Sequence, residues 1–173
     1  IGKTTLINCI MNQLEPSSGT YNWSQNANIG FFAQDADENI NSELSLIEWL
    51  NQWATIDTSE EKIRSVLGRL LFSKDDIYKT MNILSGGEKR RMLFGKIILQ
   101  RPNIIIMDEP TNHLDMESIE ALNSALCDYD GTLIFSSHDR EFINSIATRV
   151  IELKEKQILE HINIENMYDS YVV

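Results

Sequence analysis

Four consecutive apolar residues, Ile104, Ile105, Ile106 and Met107, run straight into two acids, Asp108 and Glu109. An amphipathic helix buries one stripe and a half-exposed strand one face. An unbroken apolar run of this length therefore fits a strand covered on both sides, as in a parallel sheet. Met116 to Cys127 follows with helical spacing, and Thr132 to Ser136 reads as a second strand. Strand, helix, strand in that order predicts a βαβ unit and an α/β fold with a mostly parallel core sheet. Asp108 and Glu109 then lie at the carboxyl edge, where open α/β sheets bind ligands.

Other elements arrange themselves around that unit. Leu6, Ile7, Ile10, Met11 and Leu14 predict a helix opening near Thr4 and ending before the turn cluster Pro16 to Gly19. Thr20 to Trp23 and Ile29 to Ala33 read as short strands, the second with Ile29, Phe31 and Ala33 on one face and Gln34 at its end. From Glu43 to Gln100 the spacing is helical, with stripes Leu46, Ile47, Leu50, Trp53 and Ile63, Val66, Leu67, Leu70, Leu71. Val150 to Leu153 and Gln157 to Ile162 predict a closing hairpin, and Asn166 to Tyr171 a short amphipathic end. No internal repeat is present.

The chain has 173 residues, the size of one domain. With 42% hydrophobic and 24% charged residues, disordered and collagen-like classes are excluded. No apolar stretch is long enough to span a bilayer as a helix, so no membrane association is expected. Ile1-Gly2-Lys3-Thr4-Thr5 shows no secretory or transit pattern and looks like a start cut inside a motif. Acids outnumber bases 26 to 15, a net charge of −11, which disfavours a broad phosphate-binding surface; direct DNA binding is not expected. Cys9 and Cys127 lack metal-ligand spacing and are expected to be buried reduced thiols of a cytoplasmic protein.

Gly2-Lys3-Thr4 at the mouth of a helix matches the last three positions of G-x-x-x-x-G-K-[ST], whose amides cradle phosphates while Lys neutralises them and the hydroxyl binds magnesium. A turn and cap explains the tripeptide equally well. Asp108 fits the magnesium shell, and Glu109 a base that polarises water for attack on a terminal phosphate. Leu84-Ser85-Gly86-Gly87-Glu88 contains a capping box, Ser85 with Glu88 three residues on. That box gives no reason for two glycines, whereas an anion approaching the helix start does. His138 follows the strand Thr132 to Ser136 and lies beside the two acids if the strands are neighbours. Asp115 reads equally as a helix N-cap, and Gln34 as strand-edge polarity. His113 and His161 have no metal-ligand spacing.

Taken in order, Gly-Lys-Thr, Gln, Leu-Ser-Gly-Gly-Glu, the apolar run with Asp-Glu, Asp and His resemble the nucleotide-binding domain of the ATP-binding cassette (ABC) superfamily along essentially the whole chain. Pro110-Thr111-Asn112-His113-Leu114-Asp115 looks like the ABC-F branch, as do Phe31-Phe32-Ala33-Gln34-Asp35, Leu67 to Ser73 and Ser137 to Phe142. Met107 to Asn123 looks especially like the bacterial YbiT subgroup.

The resemblance implies a P-loop NTPase of ABC type with an inserted helical subdomain and a C-terminal β-hairpin. Residues 1–42 and 101–165 would form the α/β core, 43–100 the helical subdomain with the signature motif, and 166–173 a tail, together one incomplete domain and the second of two in an ABC-F chain. The implied cofactors are ATP and Mg2+. Gly2, Lys3, Thr4 and Thr5 would bind phosphate, and Thr4, Gln34 and Asp108 the metal. Glu109, His138 and Gln34 would be catalytic, while Ser85, Gly86, Gly87 and Asp115 would meet a nucleotide across a head-to-tail interface with the other ABC domain. The implied activity is ATP hydrolysis by a soluble, cytoplasmic protein acting on the ribosome in translation. The alternative is the ATP-binding subunit of a membrane transporter. The first phosphate-loop glycine and an adenine-stacking aromatic are missing from the pattern, so the 173 residues alone are expected to be inactive.

Overall fold

A computed structural model describes residues 2–33, 40–154 and 157–161. Gln34, Ile162 and the amphipathic end from Asn166 to Tyr171 lie outside the described residues. The apolar run forms β2 (Ile104–Asp108), the middle strand of a three-stranded sheet between β1 (Ile29–Phe32) and β3 (Thr132–Ser136). Both pairings are parallel, as the βαβ reading requires. Ile105, Ile106 and Met107 are at most 5% exposed, so both faces of β2 are covered. The register sets Asp108 directly opposite Ser136, which brings the polar ends of two strands to one edge.

Helix α1 (Lys3–Ile10) is shorter than its apolar spacing predicts. Asn12 adopts a left-handed backbone (φ 59°), a helix-ending conformation that Asn tolerates, so Leu14 falls beyond the helix and is 47% exposed. The strand expected at Thr20 to Trp23 does not form. That segment is held by side chains instead: the Trp23 indole donates to the Ile10 carbonyl at 3.1 Å and the Tyr21 hydroxyl to Asn12 at 2.9 Å. Along β1 the fully buried positions are Gly30 and Phe32, not the face of Ile29 and Phe31.

Residues 46–100 hold α2 (Leu46–Asn51), α3 (Glu60–Arg69), two 3-10 turns and the long α4 (Gly86–Gln100). Leu46, Leu50, Ile63, Val66, Leu67 and Leu70 are buried among these helices. Leu71, expected on the same stripe, instead follows the helix end with φ 65° and is 44% exposed, while Phe72 takes the buried position. A Cβ at Gly95 would stand 3.0 Å from Leu70 and 3.1 Å from Leu50, so a glycine lets these helices approach. Stacking of Phe32 on Phe94, centroids 4.2 Å apart, joins α4 to the end of β1. Beneath it Arg90, fully buried, lies over the Phe32 ring and donates to the Asn112 carbonyl at 2.6 Å. This guanidinium ties the helical block to the loop after β2.

After β2 come α5 (Met116–Cys127) and, following β3, α6 (Arg140–Ile146). The expected hairpin is present as antiparallel β4 (Val150–Lys154) and β5 (Gln157–His161). Both cysteines are free, but neither is buried: Cys127 is exposed and Cys9 half-buried. No described helix is long and apolar enough to cross a membrane.

Candidate functional site

Asp108, which ends β2, and Glu109, the next residue, are withdrawn from water, to 1% and 8% exposure. Burying a carboxylate is costly unless donors or cations meet it. The Ser136 hydroxyl, from the neighbouring strand, donates to Asp108 Oδ1. The Glu109 amide in turn donates to both the carbonyl and the hydroxyl oxygen of Ser136, each at 3.1 Å. Glu109 has φ 46°, a left-handed conformation uncommon for a long side chain and sustained here by that tether.

Two groups from distant parts of the chain close on the Glu109 carboxylate. Lys3 Nζ, from the first turn of α1, lies 2.6 Å from Oε1, and His138 Nδ1, just past β3, lies 2.8 Å from Oε2. Burial pushes this carboxyl upward, but the Lys3 ammonium and the His138 ring outweigh it and hold the group below its ordinary range. The carboxylate is therefore ionised at neutral pH, the state a proton acceptor needs. Lys3, Asp108, Glu109 and His138 thus come together at one edge of the sheet.

Helix starts differ across the molecule. Ser45, Ser59, Ser85, Asp115 and Asp139 cap α2, α3, α4, α5 and α6 with their side chains. Helix α1 alone among the six described begins without a side-chain cap, at Gly2 in a left-handed conformation (φ 85°) with nothing within 4 Å of where a Cβ would stand. Its first-turn amides, the Lys3 ammonium and the exposed Thr4 and Thr5 hydroxyls suit an anion. For Mg2+ the protein offers the Thr4 hydroxyl and the Asp108 carboxylate, hard oxygen ligands. Mg2+ commonly binds through few protein oxygens and takes the rest from phosphate and water. The residues present thus fit a magnesium-bound phosphate chain.

Ser85, Gly86 and Gly87 are not part of this cluster. The capping box is present, with Glu88 accepting from the Ser85 amide at 2.8 Å and Ser85 Oγ accepting from the Glu88 amide at 3.3 Å. Ser85 and Gly86 are exposed, and none of the three hydrogen-bonds to Lys3, Asp108, Glu109 or His138 among the described residues. A Cβ at Gly87 would stand 3.4 Å from the His113 carbonyl, so the start of α4 lies against the loop that carries Asn112 and His113. Asp115 caps α5 by accepting from the Ser118 amide at 2.8 Å, and the Ser118 hydroxyl together with that amide holds its carboxyl below the usual range. Two residues of the neighbourhood escaped the sequence reading, Ser136 and Arg90. The polar end of the predicted strand Thr132 to Ser136 was the only trace of the first, since its alignment with Asp108 depends on strand register; the buried position of Arg90 had none, because Lys89-Arg90-Arg91 looks like a solvated charge run.

A family model described as "ABC transporter" matches residues 1–112. The "Probable ATP-binding protein YbiT" of Escherichia coli O157:H7 is 54% identical over 172 residues, which is 99% of this chain but only 32% of that protein's length. An archaeal ribosome recycling factor, aABCE1, solved in complex with the ribosomal stalk protein aP1, superposes with a TM-score of 0.72 at 26% identity, covering 89% of this chain and 30% of that one. An ATP-binding cassette dimer solved in a post-hydrolysis state with ADP and Pi superposes with a TM-score of 0.68 at 23% identity, covering 94% of this chain and 81% of that one; this likeness concerns the fold.

Proposed function

The chain belongs to the ABC transporter family of ATP-binding domains, and on that premise we propose that it forms part of a cytoplasmic ABC-F ATPase that acts on the ribosome. The observation that carries the catalytic reading is the meeting of Lys3 and His138 on the Glu109 carboxylate, at 2.6 and 2.8 Å. Lys3 and the open amides of α1 bind the phosphates, and Thr4 and Asp108 hold Mg2+, with Gln34 as a further ligand. The metal, when bound, neutralises phosphate charge and orients the chain.

Lys3 has one ammonium and two claimants. Drawn to phosphate, it leaves Glu109 Oε1 free to accept a proton from the attacking water, while His138 keeps Oε2 oriented. The same competition keeps the base neutralised until nucleotide arrives.

Ser85, Gly86, Gly87 and Asp115 serve a second ATP, across a head-to-tail interface with another ABC domain. The exposure of Ser85, Gly86 and Asp115, and hydrogen bonds that stay local and do not reach Glu109 among the described residues, support this division. Closure on two nucleotides and reopening after hydrolysis is a ligand-driven population shift. The ribosomal assignment draws on Asn112-His113, on the similarity to YbiT, and on the likeness to aABCE1, itself a ribosome recycling factor.

The test is co-sedimentation of the intact protein carrying Glu109→Gln with ribosomes, with and without ATP. ATP-dependent pelleting with ribosomes is the expected result. Pelleting with membranes and not with ribosomes overturns the ABC-F assignment in favour of a transporter subunit.

A further inference from the structure

Resting on the reading that this site binds magnesium and ATP, we propose that Ser136 is a positioning residue that locks Asp108 and Glu109 into one arrangement and so sets the site's affinity for the divalent cation. Ser136 ends β3 opposite Asp108 and is 6% exposed. A serine hydroxyl has one proton and two acceptor sites. Here the proton goes to Asp108 Oδ1, and the oxygen accepts the Glu109 amide at 3.1 Å. Among the described residues, Ser136 is the only hydrogen-bond partner of the Asp108 side chain. One oxygen of that carboxylate is thereby committed and its plane fixed, leaving Oδ2 for a cation.

The same hydroxyl reaches the backbone of the next residue. Glu109 stands in a left-handed conformation (φ 46°) with its side chain on Lys3 and His138, and its amide is shared between the two oxygens of Ser136. The acid assigned to the metal and the acid assigned to water thus hang on a single residue, Asp108 through its hydroxyl and Glu109 through both its hydroxyl and its carbonyl. An alanine here would leave the Asp108 carboxylate, 1% exposed, without its donor. Groups that hold a metal ligand from behind commonly change affinity by about 10- to 100-fold when removed. A serine that merely finished a strand would affect stability and leave cation affinity alone.

The experiment titrates Mn2+, as a paramagnetic probe, into the intact protein with ATP, comparing wild type, Ser136→Ala and Ser136→Thr by electron paramagnetic resonance. Thermal melts establish a working temperature at which all three are folded. Ser136→Ala is expected to weaken Mn2+ binding roughly tenfold or more, with Ser136→Thr, which keeps the hydroxyl, within about threefold of wild type. ATP binding measured in EDTA should be equal in all three. Unchanged Mn2+ affinity in Ser136→Ala overturns the proposal. So does a folded Ser136→Thr as weak as Ser136→Ala, which would assign the loss to packing. A wild type that binds neither ATP nor Mn2+ overturns instead the nucleotide reading beneath it.

Discussion

The starts of α1 and α4 are both helix N-termini in a phosphate-binding family, yet they satisfy their polar groups in opposite ways. At α4 everything is local: Ser85 and Glu88, three residues apart, close a reciprocal box. At α1 nothing local caps the helix, and the lysine of its first turn finds a carboxylate 106 positions away. The closed start is held rigid by its own box and, on the proposed function, offers its glycines to a partner domain. The open start leaves its first amides without a side-chain cap and rests its lysine on Glu109, the acid that the proposed function has it release. On the proposed function, local satisfaction makes a platform, and long-range satisfaction makes a switchable site.

The largest effect should come from the long-range cluster. Glu109→Gln removes the proton acceptor while keeping the shape, so turnover in the intact protein should fall by about 10²- to 10⁴-fold with ATP binding retained. Steady-state hydrolysis and nucleotide titration measure the two separately, and undiminished turnover would remove Glu109 from the mechanism.

A second expectation concerns the charge balance within that cluster. Lys3→Met leaves the burial of Glu109 in place and strips away its ammonium, so the Glu109 carboxyl should titrate at higher pH, as followed by carbon NMR of labelled glutamate. In the native chain the folded carboxyl lies below its ordinary value of 4.5. Its stabilising contribution is therefore complete above that value and is lost as pH falls through the folded value. Lys3→Met should shrink this acid-sensitive component. No upward movement would show that His138 suffices to hold the carboxylate.

The smallest effect belongs to the local platform. Ser85→Ala deletes one cap and should cost about 1 kcal/mol, or a few degrees in Tm, without moving the Glu109 titration. A change in that titration would show that the two helix starts are coupled.

Legibility followed the same division. The capping box at Ser85, the N-cap at Asp115 and the buried run of β2 each depend on neighbours within a few positions or on unbroken apolarity. Lys3, Glu109 and His138 were each visible as motif members, but their convergence needed the register of β2 with β3. The misreadings have a related cause. Thr20 to Trp23 has strand-like residues, but its aromatic side chains hydrogen-bond to the end of α1, and a strand needs a partner that propensity cannot supply. Leu14 and Leu71 continue apolar spacings past positions where the backbone turns left-handed, at Asn12 and at Leu71 itself.

Residue order settles the α/β class, the helix caps and the identity of the chemical groups, because periodicity, capping and side-chain chemistry act over a turn or a strand. Folding alone decides that Ser136 holds both acids, that Arg90 is buried against the Phe32 ring with its charge on the Asn112 carbonyl, and that Lys3 rests on Glu109. Those facts depend on strand register and on which surfaces exclude water, quantities set by the whole packed chain and not by any short stretch of it.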